Sequence, residues 1–397
     1  MVDYAAIFYV SGKSLGGFFK KVYGAEMKVF NKTLLLTAIT VASTSAMAID
    51  VNFSGFGTIG YSQNDEKGSV VNDTTNKGSW GQTSLIGLQA DVKLNSKFSA
   101  TAQVKLSEDV TIDEKMQMTL QMAFLGYQAT ESLKIRIGRL RAPVYLDSEY
   151  LDVGYVKTTA TTPLAVYGQA PFANYNGLDM IFTHYTATDL EFQIQPYVGK
   201  EQVERDFSSI GVTGNLDANY LAGINTSLAG DDWKVRAGYT IGEMNMPGYE
   251  SNPFQPEEFY LNDDMGSFLT VGANYDNGSL LATVEFAKRS VEGAKLVTDL
   301  TGAYVTVGYR IDSFTPYFTY QRQETGDKNR EVGVNSDFNA LSVGAKYEFS
   351  KVALKAEVTN YEFGKNGIYG YTNTLTGNAT TTLKSAKVFN LTLETMF

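Results

Sequence analysis

Apolar and polar residues alternate along most of this chain, which is the pattern of half-buried β-strands. In the segment 352–360, polar residues alternate with the apolar Val352, Leu354, Ala356 and Val358. Segments with this alternation, taken along the whole chain, predict sixteen strands. They lie near 51–63, 86–94, 98–106, 117–129, 133–141, 178–186, 190–199, 218–228, 233–242, 266–276, 279–288, 302–310, 314–322, 339–348, 352–360 and 386–397. Two of them, 117–129 and 178–186, alternate poorly.

The connections between these strands alternate in length. Short turns are predicted near Ser96, Glu131, Ala187, Asp231, Asn277, Asp312 and Ser350. The connections between them are mostly longer, polar and rich in Gly, Asn and Asp. An even number of antiparallel strands with short turns at one end and long loops at the other is typical of outer-membrane barrels.

The two faces of the strands differ in kind. One face is largely apolar, and the other carries charges inside the strands: Lys93, Lys105, Arg136, Glu191, Arg236, Glu285, Lys346, Lys355 and Glu357. A soluble sandwich with its apolar faces packed together would alternate in the same way. Aromatic residues on the apolar face favour lipid instead, because beside the short turns they form an interfacial girdle: Phe98, Tyr127, Trp233, Tyr275, Tyr309, Phe314, Tyr347 and Phe397.

The N-terminal part reads as a targeting segment. Residues 27–48 combine a basic start, an apolar stretch and a small-x-small site at Ala46-Met47-Ala48, which predicts a secretory signal peptide. Residues 1–26 are interpreted as an extension from a start codon assigned too early, and residues 49–397 as the barrel. No later window is long and apolar enough for a transmembrane helix.

The third outer connection, residues 142–176, is longer than the others. It is rich in aromatic and apolar residues, including Tyr145, Leu164, Tyr167 and Phe172. Long irregular loops in compact proteins are usually functional or disordered, and this one is too apolar for a solvated tail. We expect it to fold into the barrel, with an external cap or a subunit contact as the alternative.

Alternation after Ile137 would place Arg139 and Arg141 in lipid. With an axial rise of about 2.3 Å per residue, Arg139 would lie roughly 14 Å above the short turn, near mid-membrane. An arginine there costs about 2–4 kcal/mol. A bulge at Gly138, or an equivalent departure, is therefore predicted to turn Arg139 and Arg141 toward the lumen beside Arg136.

The C-terminal strand and the segment Gly138–Pro143 carry a resemblance to a known family. The chain stops inside a strand, on the outward-facing Phe397, and the sequence GRLRAP ends the predicted fifth strand. Both features resemble the trimeric general-diffusion porins of Gram-negative outer membranes. That resemblance implies a channel through which ions and small hydrophilic solutes diffuse passively, surrounded by outer-membrane lipid and lipopolysaccharide. It also implies a homotrimer, which the small outward residues Gly55, Gly57, Ala90, Ala100 and Ala102 suit.

The resemblance further implies a pore constriction. In such porins loop carboxylates face wall arginines across the narrowest point. The basic candidates here are Arg136, Arg139, Arg141 and Lys105, and the acidic ones are Asp147, Glu149 and Asp152. The acidic PEFGGD-type loop motif of the enterobacterial porins is missing, so solvated loop charges remain the alternative for the three acids.

Other chemistry finds little support in the sequence. The chain has one histidine, His184, and no cysteine, so neither a hydrolase triad nor a transition-metal site is expected. The excess of acidic residues, 43 against 33 basic ones, argues against nucleic-acid binding. We expect no enzyme activity, cofactor or metal. A substrate-selective porin and a non-conducting barrel that serves as an adhesin or structural anchor are the two alternatives.

Overall fold

The alternating segments form sixteen β-strands in the part of the chain that the computed structural model describes. The described residues are 50–66, 71, 74–109, 115–207, 212–245, 261–293, 297–331, 335–364 and 383–397. The expected extension 1–26 and signal peptide 27–48 lie outside them. No helix among the described residues is long and apolar enough to cross a membrane.

The strands lie where alternation predicted them, with several longer at their outer ends. Their bounds are β1 Asp50–Asn64, β2 Leu85–Lys93, β3 Phe98–Asp109, β4 Lys115–Gln128, β5 Leu133–Arg141, β6 Asn174–Tyr185, β7 Glu191–Phe207 and β8 Val212–Ala229. The second half comprises β9 Trp233–Asn245, β10 Asp264–Asp276, β11 Leu280–Val291, β12 Leu300–Tyr309, β13 Phe314–Thr325, β14 Phe338–Phe349, β15 Val352–Phe363 and β16 Ser385–Met396.

Each strand pairs antiparallel with its neighbours in sequence, and β1 pairs with β16 to close the sheet into a barrel. The closing register runs from Phe56 opposite Met396 to Asn64 opposite Val388. Asp189, Asp312 and Ser350, at three of the predicted short turns, have φ of +59°, +52° and +57°. Such left-handed residues allow a chain to reverse within a few positions.

The burial of alternate residues shows which face points outward. In β13 the threonine and glutamine side chains are buried, whereas Phe314, Phe318 and Tyr320 are each 43% exposed. Five of the nine charged residues predicted for the inner face are buried too, with Glu285 1% and Lys355 0% exposed, whereas Lys93 beside a short turn is exposed. The apolar faces are therefore not packed against each other, as they would be in a sandwich.

The exposed apolar face carries aromatic side chains beside the short turns, as predicted. Phe98 and Tyr127 stack with ring centroids 4.9 Å apart. Tyr309, Tyr347 and Phe397 are each about half exposed. This aromatic band is the expected interfacial girdle of a membrane barrel.

The weak alternation of β4 has a local cause. The β3–β4 register shifts beside Gln103, so that Gln103 pairs with Met122 while Val104 pairs with Leu120. The extra residue, Gln121, interrupts the period of two.

The connection between β5 and β6, residues 142–173, is called loop 3 below. It contains two short 3₁₀ helices, Ser148–Tyr150 and Gly154–Val156, and one helical turn, α1, at Leu164–Tyr167. A second short helix, α2, at Asp327–Glu331, follows β13. Apolar side chains of loop 3 join a buried cluster with inward residues of the strands; its aromatic members are Tyr145, Phe172, Tyr175, Tyr197, Phe268 and Tyr304.

Candidate pore constriction

The first part of loop 3 is bound to buried side chains of β9, β10 and β11. Arg236 donates through Nη2 to the carbonyl of Pro143 at 2.5 Å, and the hydroxyl of Thr270 donates to the carbonyl of Val144 at 2.8 Å. The backbone N–H of Leu146 donates to the Glu285 carboxylate at 2.7 Å. These strand side chains therefore satisfy loop backbone groups that would otherwise be buried without partners.

The second part of loop 3 is bound to β14 and β15. Lys355 Nζ donates to the carbonyls of Gly154 and Thr159 at 2.8 and 3.0 Å and forms an ion pair with Glu394 at 2.7 Å. Lys346 Nζ donates to the carbonyl of Tyr155 at 2.8 Å. Loop 3 thus contacts the buried face of strands far from the two that it connects.

Further bonds join the following residues of loop 3 to β13 and β15. The hydroxyl of Thr161 donates to Glu357 at 2.5 Å, and the N–H of Ala165 donates to Gln321 at 3.0 Å. The Tyr317 hydroxyl accepts from the N–H of Ala160 at 2.9 Å and donates to Glu357 at 3.0 Å.

Asp152 joins loop 3 to β3 and β5. Its two carboxylate oxygens lie 2.8 Å from Lys105 Nζ and 2.7 Å from Arg141 Nη2. Burial alone would raise the pKa of Asp152, but the charges of Lys105 and Arg141 outweigh it and lower that pKa to about 2. Three of the predicted residues therefore meet in direct ion pairs rather than across a gap.

Arg136 lies on the inner face, as expected. Its Nε and Nη2 donate to the two oxygens of Asp179 at 2.9 and 2.5 Å. Asp179 also accepts from Gln195 at 2.7 Å and from the hydroxyl of Tyr175 at 3.3 Å. Because Asp179 is fully buried and its charge is balanced by Arg136, this part of the wall carries little net charge.

Arg139 lies on the opposite face of β5 from Arg136. The register pairs it with Ala123 of β4 and Asn176 of β6. Asn176 is three residues from the inward Asp179, an odd number, so the two alternate to opposite faces. The ladder shows no shift at Gly138 on either side, so the predicted change of register does not occur in this described part of the sheet. Gly138 departs from strand geometry only through its φ of +138°.

Polar partners compensate the outward position of Arg139. Its Nη1 donates to both carboxylate oxygens of Glu201, at 3.0 and 2.9 Å, and its Nε donates to the carbonyl of Leu120 at 2.8 Å. The side chain of Asn176 donates to Glu201 at 3.0 Å.

Register shifts of the ladders lie next to two of these partners. The β3–β4 register shifts beside Leu120, and the β7–β8 register shifts just before Glu201. A bulge frees backbone groups and changes the direction of a side chain. The charge of Arg139 is thus balanced by the Glu201 carboxylate, whose own side chain is only 4% exposed.

The two remaining predicted acids lie on different sides of loop 3. Glu149 is exposed and lines a cavity of about 750 Å³ together with Arg136, Arg141 and Gln103. Asp147 lines a separate polar cavity of about 160 Å³, beside Lys157 and β10–β12. Burial raises the pKa of Asp147, and the charges of Lys157 and Arg236 oppose that rise only in part.

The larger cavity lies between residues 143–156 of loop 3 and the inner wall around β1–β6. Its lining residues belong to loop 3, β1–β5, β7, the C-terminal end of β16 and the β14–β15 turn. Its charged and amide lining side chains are Gln89, Asp91, Gln103, Lys134, Arg136, Arg141, Glu149, Gln195 and Lys351. Sequence reasoning missed Asp179 and Gln195, which hold Arg136 in place. Alternation could have indicated Gln195, but β6 alternates too weakly to assign Asp179 to a face.

His184 lies on β6 beside a short turn, as expected, where it is exposed and opposite Phe192. No group of three or more His, Cys, Asp or Glu residues in the described ranges is arranged to hold a metal ion.

A closed antiparallel barrel that is apolar outside, charged inside and crossed by an anchored loop defines an outer-membrane channel. The model of the Gram-negative porin family matches residues 35–366. The chain belongs to this family, and it functions in the outer membrane as a channel for passive diffusion.

Solved porin structures share the fold. The chain is similar to OmpF of Salmonella typhi, solved in complex with daunomycin, with a TM-score of 0.59 and 16% identity over 87% of this chain and 97% of that one. For the in-vitro folded trimer form of OmpT from Vibrio cholerae, the TM-score is 0.56 and the sequence identity is 17%, over 88% of this chain and 100% of that one. For an anion-selective porin from Comamonas acidovorans, the TM-score is 0.52 and the sequence identity is 11%, over 88% of this chain and 100% of that one. Among curated protein sequences, none matches this chain.

Proposed function

We propose that ions and small hydrophilic solutes cross the barrel between loop 3 and the wall of β1–β6. The observation that supports this route is the cavity of about 750 Å³, whose lining combines charges of both signs with glutamine amides. Such a lining replaces part of the hydration of a polar solute without binding it tightly. The second part of loop 3 is anchored to β14 and β15, which makes the opposite side a less open route.

Swelling of protein-containing liposomes in neutral sugars of increasing size tests this proposal. Uptake should be fast for monosaccharides and should fall steeply with solute size, because the cavity is narrow. Liposomes that contain heat-denatured protein are the control. Equal swelling with and without folded protein would contradict the proposed route.

We propose that the constriction is formed by Arg136, Arg141 and Lys105 on the wall and by Glu149 and Asp152 on loop 3. All five lie on or next to the same cavity, and Glu149 is the acid left without an ion pair among the described contacts. Arg139 and Asp147, expected from the sequence, are excluded from this proposed set because they lie on the outer face and on the other side of loop 3.

The proposed role includes no catalysis. His184, the one histidine, is exposed on the outer side of β6, where no nucleophile of the described chain lies within hydrogen-bond distance of it. A hydrolytic site would need such a neighbour.

A homotrimer in outer-membrane lipid and lipopolysaccharide is the proposed assembly. The early strands carry the small outward residues Gly57, Ala90, Ala100 and Ala102, which allow barrels to approach closely, and the related OmpT was solved in trimer form. Gly55 differs from the other small residues because the ring of Phe397 lies over it. Native mass spectrometry of the detergent-solubilised protein should give three copies; a monomer would contradict this assembly.

A further inference from the structure

Residues 148–156 of loop 3 cross in front of the wall formed by β1–β6. On one side they are held by Lys355, which donates to the carbonyl of Gly154, and by Lys346, which donates to the carbonyl of Tyr155. These two bonds use loop backbone oxygens, so no single loop side chain controls them. This side of the segment is fixed to the barrel by its main chain.

The other side of the same segment is held differently. Among the hydrogen bonds and ion pairs of the described residues, those that connect 148–156 with β1–β6 all involve the carboxylate of Asp152. Lys105 comes from β3 and Arg141 from the end of β5, so one side chain joins the loop to two strands. The side chains of Asp152 and Arg141 are only 11% and 6% exposed, and that of Lys105 is 20% exposed.

We propose that Asp152 sets the width of the passage. Its ion pairs hold loop 3 close to the wall of β1–β6, and without them the gap between loop and wall would be wider. This inference rests on the proposed route between loop 3 and β1–β6. The contact of Asp152 with Lys105 and Arg141 is called the Asp152 latch. When the latch opens, residues 148–153 move away from β3 and β5 while Gly154 and Tyr155 stay bound to β14 and β15.

The latch also changes the charge of the passage. Loop acids and wall cations are paired directly, instead of facing each other across an open gap. Asp152 neutralises part of the charge of Lys105 and Arg141, and Arg136 is balanced by Asp179. The latched passage is therefore narrow and weakly charged. The unlatched passage is wider and exposes two unpaired cations, so it favours anions.

The test compares Asp152→Asn with wild type and with Asp276→Asn. The second substitution makes the same chemical change in an ion pair at a short turn, where Asp276 lies 3.1 Å from Arg310 and away from the latch. Single-channel conductance and the sugar size limit in liposomes are measured for all three proteins. The Asp152→Asn channel should conduct more, admit larger sugars and shift toward anions, whereas Asp276→Asn should match wild type.

Hydrogen exchange of the amides of residues 150–156 gives a readout that needs no conduction. The exchange rate in Asp152→Asn should rise about tenfold or more. The free-energy cost of breaking a buried ion pair exceeds the ~1.4 kcal/mol that a factor of ten represents. Asp152→Glu keeps the charge and should stay close to wild type. If Asp152→Asn does not fold, Lys105→Met removes one half of the latch and should give a smaller rise in the exchange of the same amides.

The outcomes separate the two proposals. Unchanged exchange in Asp152→Asn contradicts the latch, and so does faster exchange with unchanged conductance and size limit, which would make Asp152 a purely structural contact. If neither wild type nor Asp152→Asn forms open channels, the proposed route itself is contradicted.

Discussion

Two arginines three residues apart on β5 have opposite environments. Arg136 faces the inner cavity and is paired with Asp179, whereas Arg139 alternates to the other side of β5 and is paired with Glu201. The sequence predicted the first position from alternation. For the second it predicted a position facing the lumen and named no partner, because Glu201 is 62 residues away in sequence.

Arg136→Ala should shift the channel toward cations, because it leaves the negative charge of Asp179 unbalanced beside the cavity. A unit charge about 4 Å away in water is worth ~1 kcal/mol, which corresponds to a roughly fivefold change in the cation-to-anion permeability ratio. The reversal potential in a salt gradient measures this ratio. Arg139→Ala is the matched control and should leave it unchanged; equal shifts in both variants would mean that Arg139 also faces the passage.

Glu201→Gln should destabilise the barrel, because it leaves the charge of Arg139 without its buried carboxylate partner. The expected loss is about 3–5 kcal/mol in the free energy of unfolding, the range for removing one partner of a buried ion pair. Urea unfolding in lipid vesicles measures it. The double variant Arg139→Met/Glu201→Gln should recover most of the loss, and a double variant no more stable than the single one would contradict the pairing.

At the scale of elements, alternation located every strand because one face meets lipid and the other does not. It could not show how loop 3 is held. Arg236, Glu285 and Lys355 were recognised as charges inside strands, but their partners are mainly backbone groups of loop 3, at least 90 residues away in sequence. A carbonyl or an N–H carries no sequence signal, so these contacts are visible only in the folded barrel.

The attachment of loop 3 should withstand mild acid. The pKa of Asp152 is about 2 in the folded protein, against an ordinary value of about 3.9, since Lys105 and Arg141 face it directly and Lys157 lies nearby. A lowered pKa means that the ion pair contributes fully above about pH 4 and is lost as the pH falls toward about 2. Hydrogen exchange of residues 150–156 should change little between about pH 7 and about pH 4, after correction for its intrinsic pH dependence. Loosening near pH 5 would contradict this assignment.

At the scale of the whole molecule, closure of the barrel depends on the seam between β1 and β16. Beyond the last residue of β16, the N–H of Phe397 donates to the carbonyl of Gly55 at 2.9 Å, and the N–H of Gly55 donates to the carbonyl of Phe397 at 2.8 Å. The sheet therefore has no free edge at this point, as a structure surrounded by hydrocarbon requires. The terminal aromatic residue noted in the sequence completes the wall.

The central claim is that water and solutes pass inside this wall, between loop 3 and β1–β6. Conductance of the purified, folded protein in a planar lipid bilayer tests it most directly. The account predicts discrete open-channel steps that increase with salt concentration and that are larger in Asp152→Asn than in wild type. A folded barrel that inserts into the bilayer without such steps in either protein would contradict it.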